Sequence, residues 1–346
     1  MVRVLLVTCR IDFQELVEKA VRIDPATELV GVARCGTEAV TMARELSPDI
    51  LTMDLEPGED DSAETIREIM ISAPVPIVMV SREVSSDLGA VSARALEGGA
   101  LAVIPAPHPV HGRLEKAATE KFLSTIKAMA QVKVVRQWRK KADAIRPASD
   151  SGPGLINSPI GIVGIAASTG GPAAIRSILM KVSATFPAPI LIVQHMSNGF
   201  IDGVAESLDA TLPLKVKIAA DGERLRSGTV YLAPDGRQLG VSGRSRIRVV
   251  DDAPVAGFKP SGSYLFGSIG RAFKGESLAV VLTGMGDDGT EGLRLLREAG
   301  GKAIAQDEES SIVFGMPKSA IGAGLIDFVL PLESIAEKIV ALAGAE

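Results

Sequence analysis

A serine beside two glycines is the first candidate for chemistry in this sequence of 346 residues. Ser168 lies in the stretch GIAASTGGPAAI at 164–175, directly after an apolar run that predicts a buried strand. The glycines do not follow the phosphate-binding spacings G-x-G-x-x-G or G-x-x-x-x-G-K-[ST]. The G-x-S-x-G elbow of α/β-hydrolases is absent as well, because Ala167 directly precedes the serine. Two interpretations therefore stay open: a nucleophilic hydroxyl, or a glycine turn that binds an anion at a helix N-terminus.

A histidine at a strand end supplies the base that a serine nucleophile needs. The sequence has three histidines, and His108 and His111 lie in a proline-flanked stretch. His195 instead follows the apolar run Ile190–Val193, and no second histidine or cysteine lies near it to favour a zinc site. The simpler alternative is a polar side chain satisfied in the core. Beside a candidate nucleophile, however, His195 is a candidate general base.

Two adjacent acids, Asp287 and Asp288, follow a third apolar run in LTGMGDDG at 282–289. They are candidates to bind Mg²⁺, to cap the next helix, or to orient a histidine during acyl transfer. All three segments follow predicted strands of one parallel sheet, whose carboxyl ends meet at the same edge. Backbone N–H groups at Gly170 and Gly171 are candidates for an oxyanion hole.

The elements that must position these residues alternate between strand and helix in two regions of the chain. The predicted strands are Val2–Val7, Glu28–Ala33, Ile50–Met53, Val75–Val80, Ala100–Ile104, Ile160–Ile165, Ile190–Val193, Lys215–Ala219, Thr229–Ala233, Leu278–Leu282 and Lys302–Ala305. The predicted helices are Phe13–Ile23, Thr37–Leu46, Ala63–Ile71, Leu88–Leu96, Ala173–Lys181, Phe200–Leu208, Tyr264–Phe273, Gly289–Ala299 and Leu332–Leu342. This alternation predicts an α/β protein with two parallel sheets and helices on both faces.

Composition excludes several classes of function. The net charge is −5 and only 3% of residues are aromatic, which gives no case for nucleic-acid binding. No apolar run reaches the length of a membrane span, and the N-terminus lacks the apolar segment of a signal peptide. Cys9 and Cys35 are expected to be buried, reduced thiols of a cytoplasmic protein. Residues 113–146 carry ten Lys or Arg against three acids and lead into a turn-forming run, which predicts a connector.

Three segments in order, ASTGG at 167–171, QHM at 194–196 and LTGMGDDG at 282–289, resemble the active-site segments of chemotaxis-type protein-glutamate methylesterases, the CheB family. YLAPD at 231–235 is similar to a further family segment, and the resemblance covers essentially the whole chain. It implies three parts: a receiver-like regulatory domain with a flavodoxin-like doubly wound sheet at 1–122, a linker at 123–156, and a methylesterase domain with a mainly parallel sheet at 157–346.

The resemblance also assigns roles to residues. It implies that Ser168 is the nucleophile, that His195 is the general base and acid, and that Asp288 orients the histidine. Thr169 and Met285, together with Gly170 and Gly171, are implied to line the oxyanion and substrate loop. Family members usually carry Asn where this chain has Asp287, and this leaves the choice between the two acids less secure.

The implied reaction is hydrolysis of glutamyl methyl esters on methyl-accepting chemoreceptors, with release of methanol. Deamidation of receptor glutamines is implied as a second activity, and neither reaction needs a cofactor. The implied partners are the chemoreceptors and a chemosensory histidine kinase, and the implied location is the cytoplasm, in association with receptor arrays at the membrane but without membrane insertion. The alternatives are a chemosensory scaffold whose catalysis is secondary, and a nucleotide-binding protein built on the glycine turn.

The receiver-like region departs from the pattern that the resemblance implies. Asp54 stands at the phosphoacceptor position and Ser81 at the hydroxyl position. The acidic pair that would hold Mg²⁺ is replaced by Thr8 and Cys9, and the lysine position is Ala106. We therefore expect Mg²⁺-dependent phosphorylation of Asp54 to be weak or lost. Whether the first domain inhibits the catalytic domain or docks a partner stays open at this point.

Overall fold

Two parallel sheets dominate the computed structural model, which describes residues 1–55, 62–82, 87–107, 109–110, 113–132, 134 and 159–344. His108 and His111 lie outside the described residues, as does most of the predicted linker. In the described part of the chain, no helix is both long enough and apolar enough to cross a membrane.

The first sheet has five parallel strands in the order β2-β1-β3-β4-β5. This is the flavodoxin-like order of a doubly wound fold, as predicted. Its strands are β1 (Val2–Val7), β2 (Thr27–Ala33), β3 (Ile50–Asp54), β4 (Ile77–Ser81) and β5 (Ala102–Pro105). Its helices are α1 (Ile11–Ile23), α2 (Gly36–Leu46), α3 (Ser62–Ser72), α4 (Asp87–Gly98) and α5 (Lys116–Met129), and a short hairpin of β6 (Pro109–Val110) and β7 (Arg113–Leu114) precedes α5.

Helix α5 crosses the predicted domain boundary at residue 122 and continues to Met129. Its buried side chains Phe122, Leu123 and Ile126 join the apolar cluster that covers one face of the first sheet. The helix therefore continues for as long as it has an apolar stripe to bury. The division into domains at 122 and 156 stays a prediction, since residues 135–158 lie outside the description.

The second sheet has seven parallel strands in the order β10-β11-β9-β8-β14-β15-β16. Its strands are β8 (Ile162–Ala167), β9 (Ile190–Gln194), β10 (Lys215–Ile218), β11 (Thr229–Leu232), β14 (Ser277–Val281), β15 (Lys302–Gln306) and β16 (Phe328–Leu330). The helices are α6 (Gly171–Leu179), α7 (Ile201–Thr211), α8 (Gly262–Phe273), α9 (Thr290–Glu298), α10 (Met316–Gly322) and α11 (Leu332–Leu342), with an antiparallel hairpin of β12 (Gln238–Ser242) and β13 (Arg246–Val250) beside α8.

The prediction missed four elements of this half: β12, β13, β16 and α10. Each is short, and β13 alternates polar and apolar residues in RIRVV without a long apolar run. Such segments become strands through pairing with a neighbour, which local patterning does not reveal.

The strands that carry the candidate residues are neighbours in the centre of the second sheet. Strand β8 pairs with β9 on one side and with β14 on the other, with Ala166 level with both Val193 and Val281. The three strands thus end at one edge of the sheet, so that the loops after them converge there, as predicted.

Candidate active site

Ser168 lies in the turn between β8 and α6, and backbone hydrogen bonds fix it there. Its N–H donates to the carbonyl of Thr283 at 3.0 Å, and its carbonyl accepts from the N–H of Gly171 at 2.8 Å. Gly170 caps the helix with a φ of 78°, in the left-handed region that favours glycine. A Cβ at Gly171 would collide with the side-chain oxygen of Gln194. The two glycines therefore permit a tight turn that leaves the serine at the start of a helix.

Gln194 ties the serine to the histidine. Its side chain is 4% exposed, and its Nε2 donates to the carbonyl oxygens of both Ser168 and His195, each at 2.8 Å. One carboxamide thus fixes the backbones of two candidate catalytic residues relative to each other. Sequence reasoning did not single out Gln194. The available signal was its place directly before His195 at the end of a strand that was otherwise apolar.

The structure brings His195 and Asp288 together. His195 Nε2 lies 2.9 Å from Asp288 Oδ2. Because a carboxylate only accepts hydrogen bonds, Nε2 carries the proton, and Nδ1 is the nitrogen left with a lone pair. Nδ1 is buried and has no hydrogen-bond partner among the described residues.

Asp288 rather than Asp287 occupies the site beside the histidine. Asp288 is 2% exposed, whereas Asp287 is exposed. Besides His195, four groups donate to the Asp288 carboxylate: Ser261 Oγ at 2.7 Å, the N–H of Gly262 at 2.6 Å, the N–H of Ser263 at 3.1 Å and the N–H of Gly289 at 2.9 Å. Burial acts to raise the pKa of Asp288, but the hydrogen bonds from His195, Ser261 and Gly262 outweigh it and lower that pKa below its ordinary value.

Ser168 and His195 line one cavity of about 270 Å³, together with Thr169. Part of its wall belongs to the first domain, namely strand β5 together with Phe122 and Thr125 of α5. The cavity therefore lies between the two domains.

Three predicted residues of the oxyanion and substrate loop, Gly170, Gly171 and Met285, are not among those that line this cavity in the described structure. Met285 is 43% exposed. It adjoins Gly284, at which a Cβ would lie 2.7 Å from Ser168 Cβ. The backbone around Met285 is thus close to the serine, while the Met285 side chain faces outward.

The two domains touch through both apolar and polar contacts. Helix α4 packs against α6 and α7, and one apolar cluster includes Ala95 of α4 and Val204 of α7. Ser197, two residues after His195, donates its hydroxyl to the carbonyl of Val103 in β5 at 3.0 Å. The loop that carries the histidine is thus bonded directly to the first domain.

The phosphoacceptor position is arranged differently from the esterase site. Asp54 is 8% exposed at the end of β3, and Thr8 Oγ1 donates to its Oδ2 at 3.0 Å. Asp12, in the first turn of α1, accepts hydrogen bonds from the guanidinium groups of Arg10 and Arg82, the latter at 2.6 Å. The hydrogen bond from Arg10 is the main cause that lowers the pKa of Asp12 to about 2.

These residues do not fit a Mg²⁺ site of the receiver type. Among the described residues, the Thr8 hydroxyl donates to Asp54 where the receiver pattern has a carboxylate ligand, and Asp12 at the start of α1 is ion-paired with arginines. Ala106, at the predicted lysine position, is buried and lines the interdomain cavity.

The expectation of two buried thiols is wrong. Cys9 and Cys35 are both free and exposed. Each follows a strand by two residues, where the chain has left the sheet for a surface loop. The hydrogen bond between Cys35 and Thr37 is the main cause that lowers the pKa of the Cys35 thiol.

Comparisons with known proteins show the family to which the chain belongs. The family model described as CheB methylesterase matches residues 163–339, just over half of the chain. A relative from Rhizobium meliloti (strain 1021), named protein-glutamate methylesterase/protein-glutamine glutaminase of group 3 operon, is 71% identical over 344 residues, which cover 99% of this chain and 97% of the relative. A relative from Myxococcus xanthus (strain DK1622), named protein-glutamate methylesterase/protein-glutamine glutaminase 4, is 46% identical over 328 residues, 94% of this chain and 92% of the relative.

Among solved structures, the CheB methylesterase catalytic domain of Thermotoga maritima is similar to the second half of the molecule. It is 40% identical with a TM-score of 0.51, and the match covers 53% of this chain and 98% of that one. A catalytic domain of this kind therefore crystallises without a receiver domain.

Proposed function

The chain belongs to the CheB methylesterase family, and on that premise we propose how its own residues hydrolyse glutamyl methyl esters and glutamine side chains of methyl-accepting chemoreceptors. The observation that carries the assignment is that His195, hydrogen-bonded to Asp288, lines the same cavity as Ser168. Neither the described geometry nor the relatives favour the scaffold alternative, and the glycine turn lacks the lysine of a nucleotide loop.

In the first step, Ser168 Oγ attacks the side-chain carbonyl carbon of the substrate, and its proton passes to His195 Nδ1. Nδ1 is the acceptor because Nε2–H is held by Asp288. The ionised Asp288 stabilises the imidazolium that forms, and its lowered pKa keeps it ionised at neutral pH. In this proposal, N–H groups between Ser168 and α6 and beside Met285 receive the developing oxyanion, whereas the N–H of Gly171 donates to the carbonyl of Ser168. The N-terminus of α6 favours negative charge at this place.

In the second step, the tetrahedral intermediate collapses. The bond to methoxide breaks, and His195 Nδ1 returns the proton so that methanol leaves. A glutamine substrate loses ammonia in the same way. Water then attacks the acyl-enzyme, with His195 again as base, and releases the glutamate carboxylate and the free serine.

A covalent serine reagent tests the assignment directly. We expect a fluorophosphonate to label the full chain at Ser168, and to label the variant His195→Ala at least about 100-fold more slowly because general-base catalysis is lost. A matched control is Ser183→Ala, which removes a hydroxyl outside the site. Labelling at another residue, or equal rates for His195→Ala and the unmodified protein, would refute the assignment.

We further propose that the first domain restricts access to Ser168. Strand β5 and helix α5 form part of the cavity wall beside Ser168. A receptor helix is about 10 Å wide, and in this proposal it reaches the serine only after the domains separate. The kinase partner and the association with receptor arrays stay predictions. A pull-down of chemosensory kinase by the full chain but not by residues 157–346 would support the prediction of a kinase partner.

A further inference from the structure

Phe258 lies flat against the ring of His195. The two ring centroids are 4.8 Å apart and the planes differ by 10°, which is a stacked arrangement. Phe258 is half-buried and the tip of its ring approaches the active-site loop, where a Cβ at Gly286 would lie 3.7 Å from Phe258 Cζ. The phenyl ring thus lies against the histidine and close to the loop that precedes Asp288.

The hydrogen bond to Asp288 alone does not fix the orientation of the histidine ring. The torsion about the Cβ–Cγ bond of histidine is broad and has no sharp preferred value. The Cβ–Cγ axis leaves the imidazole ring between Cε1 and Nε2, so rotation about it displaces Nε2 less than Nδ1 and swings the lone pair of Nδ1 through the wider arc. The bond from Nε2 to Asp288 consequently tolerates ring rotation that would misdirect Nδ1. A flat surface against the ring face opposes this rotation.

The backbone that carries Phe258 is held firmly. Val255 and Phe258 exchange backbone hydrogen bonds of 3.0 and 2.9 Å around a two-residue turn. Ala256 and Gly257, at its centre, both have positive φ, of 50° and 87°, as a type I′ turn requires. Because a non-glycine residue is strained in this region, the turn is maintained by its surroundings.

A buried glutamine joins this turn to Asp288. Gln238 is 0% exposed, and its Nε2 donates to the carbonyl oxygens of Ala253 and Phe258, each at 3.2 Å. Its Oε1 accepts from the N–H of Ser261 at 2.9 Å, and the Ser261 hydroxyl donates to Asp288. One loop therefore places a ring on the face of His195 and a hydroxyl on its carboxylate partner.

We propose that Phe258 is a positioning residue that sets the ring torsion of His195 and thereby keeps Nδ1 in line to take the proton of Ser168. It touches neither substrate nor reacting atoms in this role, and it acts through the histidine. The proposal rests on the catalytic roles proposed above for Ser168 and His195.

The test compares flat and non-flat side chains at position 258 in the full chain. Phe258→Leu keeps an apolar side chain but removes the flat ring, whereas Phe258→Tyr keeps the ring. We expect Leu to lower kcat for methanol release from methylated receptor by about 10- to 100-fold with KM within about twofold, because misplacement of a catalytic group reduces the chemical step. We expect Tyr to retain kcat within about threefold.

The matched control is Phe328→Leu, the same change at a half-buried ring in β16, for which kcat should stay unchanged. Phe258→Met is a second variant without a flat ring, and thermal unfolding shows whether each variant is folded. The proposal is overturned if Leu and Met retain the kcat of the unmodified protein, if Tyr falls as far as Leu, or if only KM changes. If His195→Ala itself keeps full activity, the proposed catalytic roles fail instead.

Discussion

The two sheets have similar topology, but the side chains at the carboxyl ends of their central strands differ. Both sheets are parallel, and in both a polar residue at the carboxyl end of a central strand faces loops from its neighbours. In the second sheet these loops supply a serine, a histidine and a buried carboxylate that receives five hydrogen bonds. In the first sheet Asp54 instead accepts a hydrogen bond from Thr8, and arginines neutralise the neighbouring Asp12. Topology thus specifies where a site lies, and only the side chains decide whether it can react.

The largest effect is expected from the acid beside the histidine. Asp288→Asn should lower kcat about 10³- to 10⁴-fold, because an amide at this position favours the wrong tautomer of His195. Asp287→Asn is the matched control, since it makes the same change at the adjacent exposed acid and should alter kcat less than about threefold. Methanol release measures both, and a larger loss for Asp287→Asn than for Asp288→Asn would reverse the assignment.

Phosphorylation of Asp54 should increase when aspartates replace Thr8 and Cys9. We expect little acid-labile phosphate on the unmodified protein after incubation with acetyl phosphate and Mg²⁺. Thr8→Asp combined with Cys9→Asp should increase incorporation at least about tenfold, because a pair of carboxylates can hold the metal. Asp54→Asn in the same background should abolish the gain. Stoichiometric phosphate on Asp54 of the unmodified chain would contradict this account.

Removal of the first domain should raise the rate at which the second domain hydrolyses methylated receptor. Residues 157–346 should hydrolyse methylated receptor about tenfold faster than the full chain, because only the separated form of the full chain admits substrate. Labelling of Ser168 by a small fluorophosphonate reports access to the cavity itself. Equal methanol release by the two proteins would make the first domain a docking module rather than an inhibitor.

A smaller effect is expected from a single contact between the domains. Ser197→Ala removes the hydrogen bond to Val103, worth about 1 kcal/mol, and should raise the basal activity of the full chain by a few-fold. The same substitution in residues 157–346 should change nothing, since the partner strand is absent there. A loss of activity in both proteins would instead indicate that Ser197 supports the histidine loop.

The central strands and the order of the three active-site segments were predictable, because apolar runs and the polar residues that end them are local features. Ser168, His195 and Asp288 could be placed at strand ends from sequence alone. Their supports could not, since Gln194 and Ser261 act on carbonyl and carboxylate groups that lie far away along the chain. The stack of Phe258 on His195 depends on a turn beside the β12–β13 hairpin, which the prediction missed.

In the first domain, too, some features were predictable from the sequence and others were not. The replacement of its acidic pair and lysine was readable residue by residue, because the family resemblance implies which position holds each group. Cys9 and Cys35 were predicted to be buried, but both are exposed. An apolar strand before a thiol does not reveal that the chain leaves the core directly after that strand. The closure of the esterase cavity by β5 and α5 depends on packing between domains, which no local pattern encodes.

Methanol release from methylated receptor by the full chain and by Ser168→Ala tests the central claim most directly. The serine hydroxyl lies at the convergence of three loops and forms the covalent intermediate in the proposed reaction. We predict that the unmodified protein releases methanol and that Ser168→Ala does so at least about 10³-fold more slowly, with unchanged thermal unfolding. Methanol release at the same rate by both proteins would contradict the account.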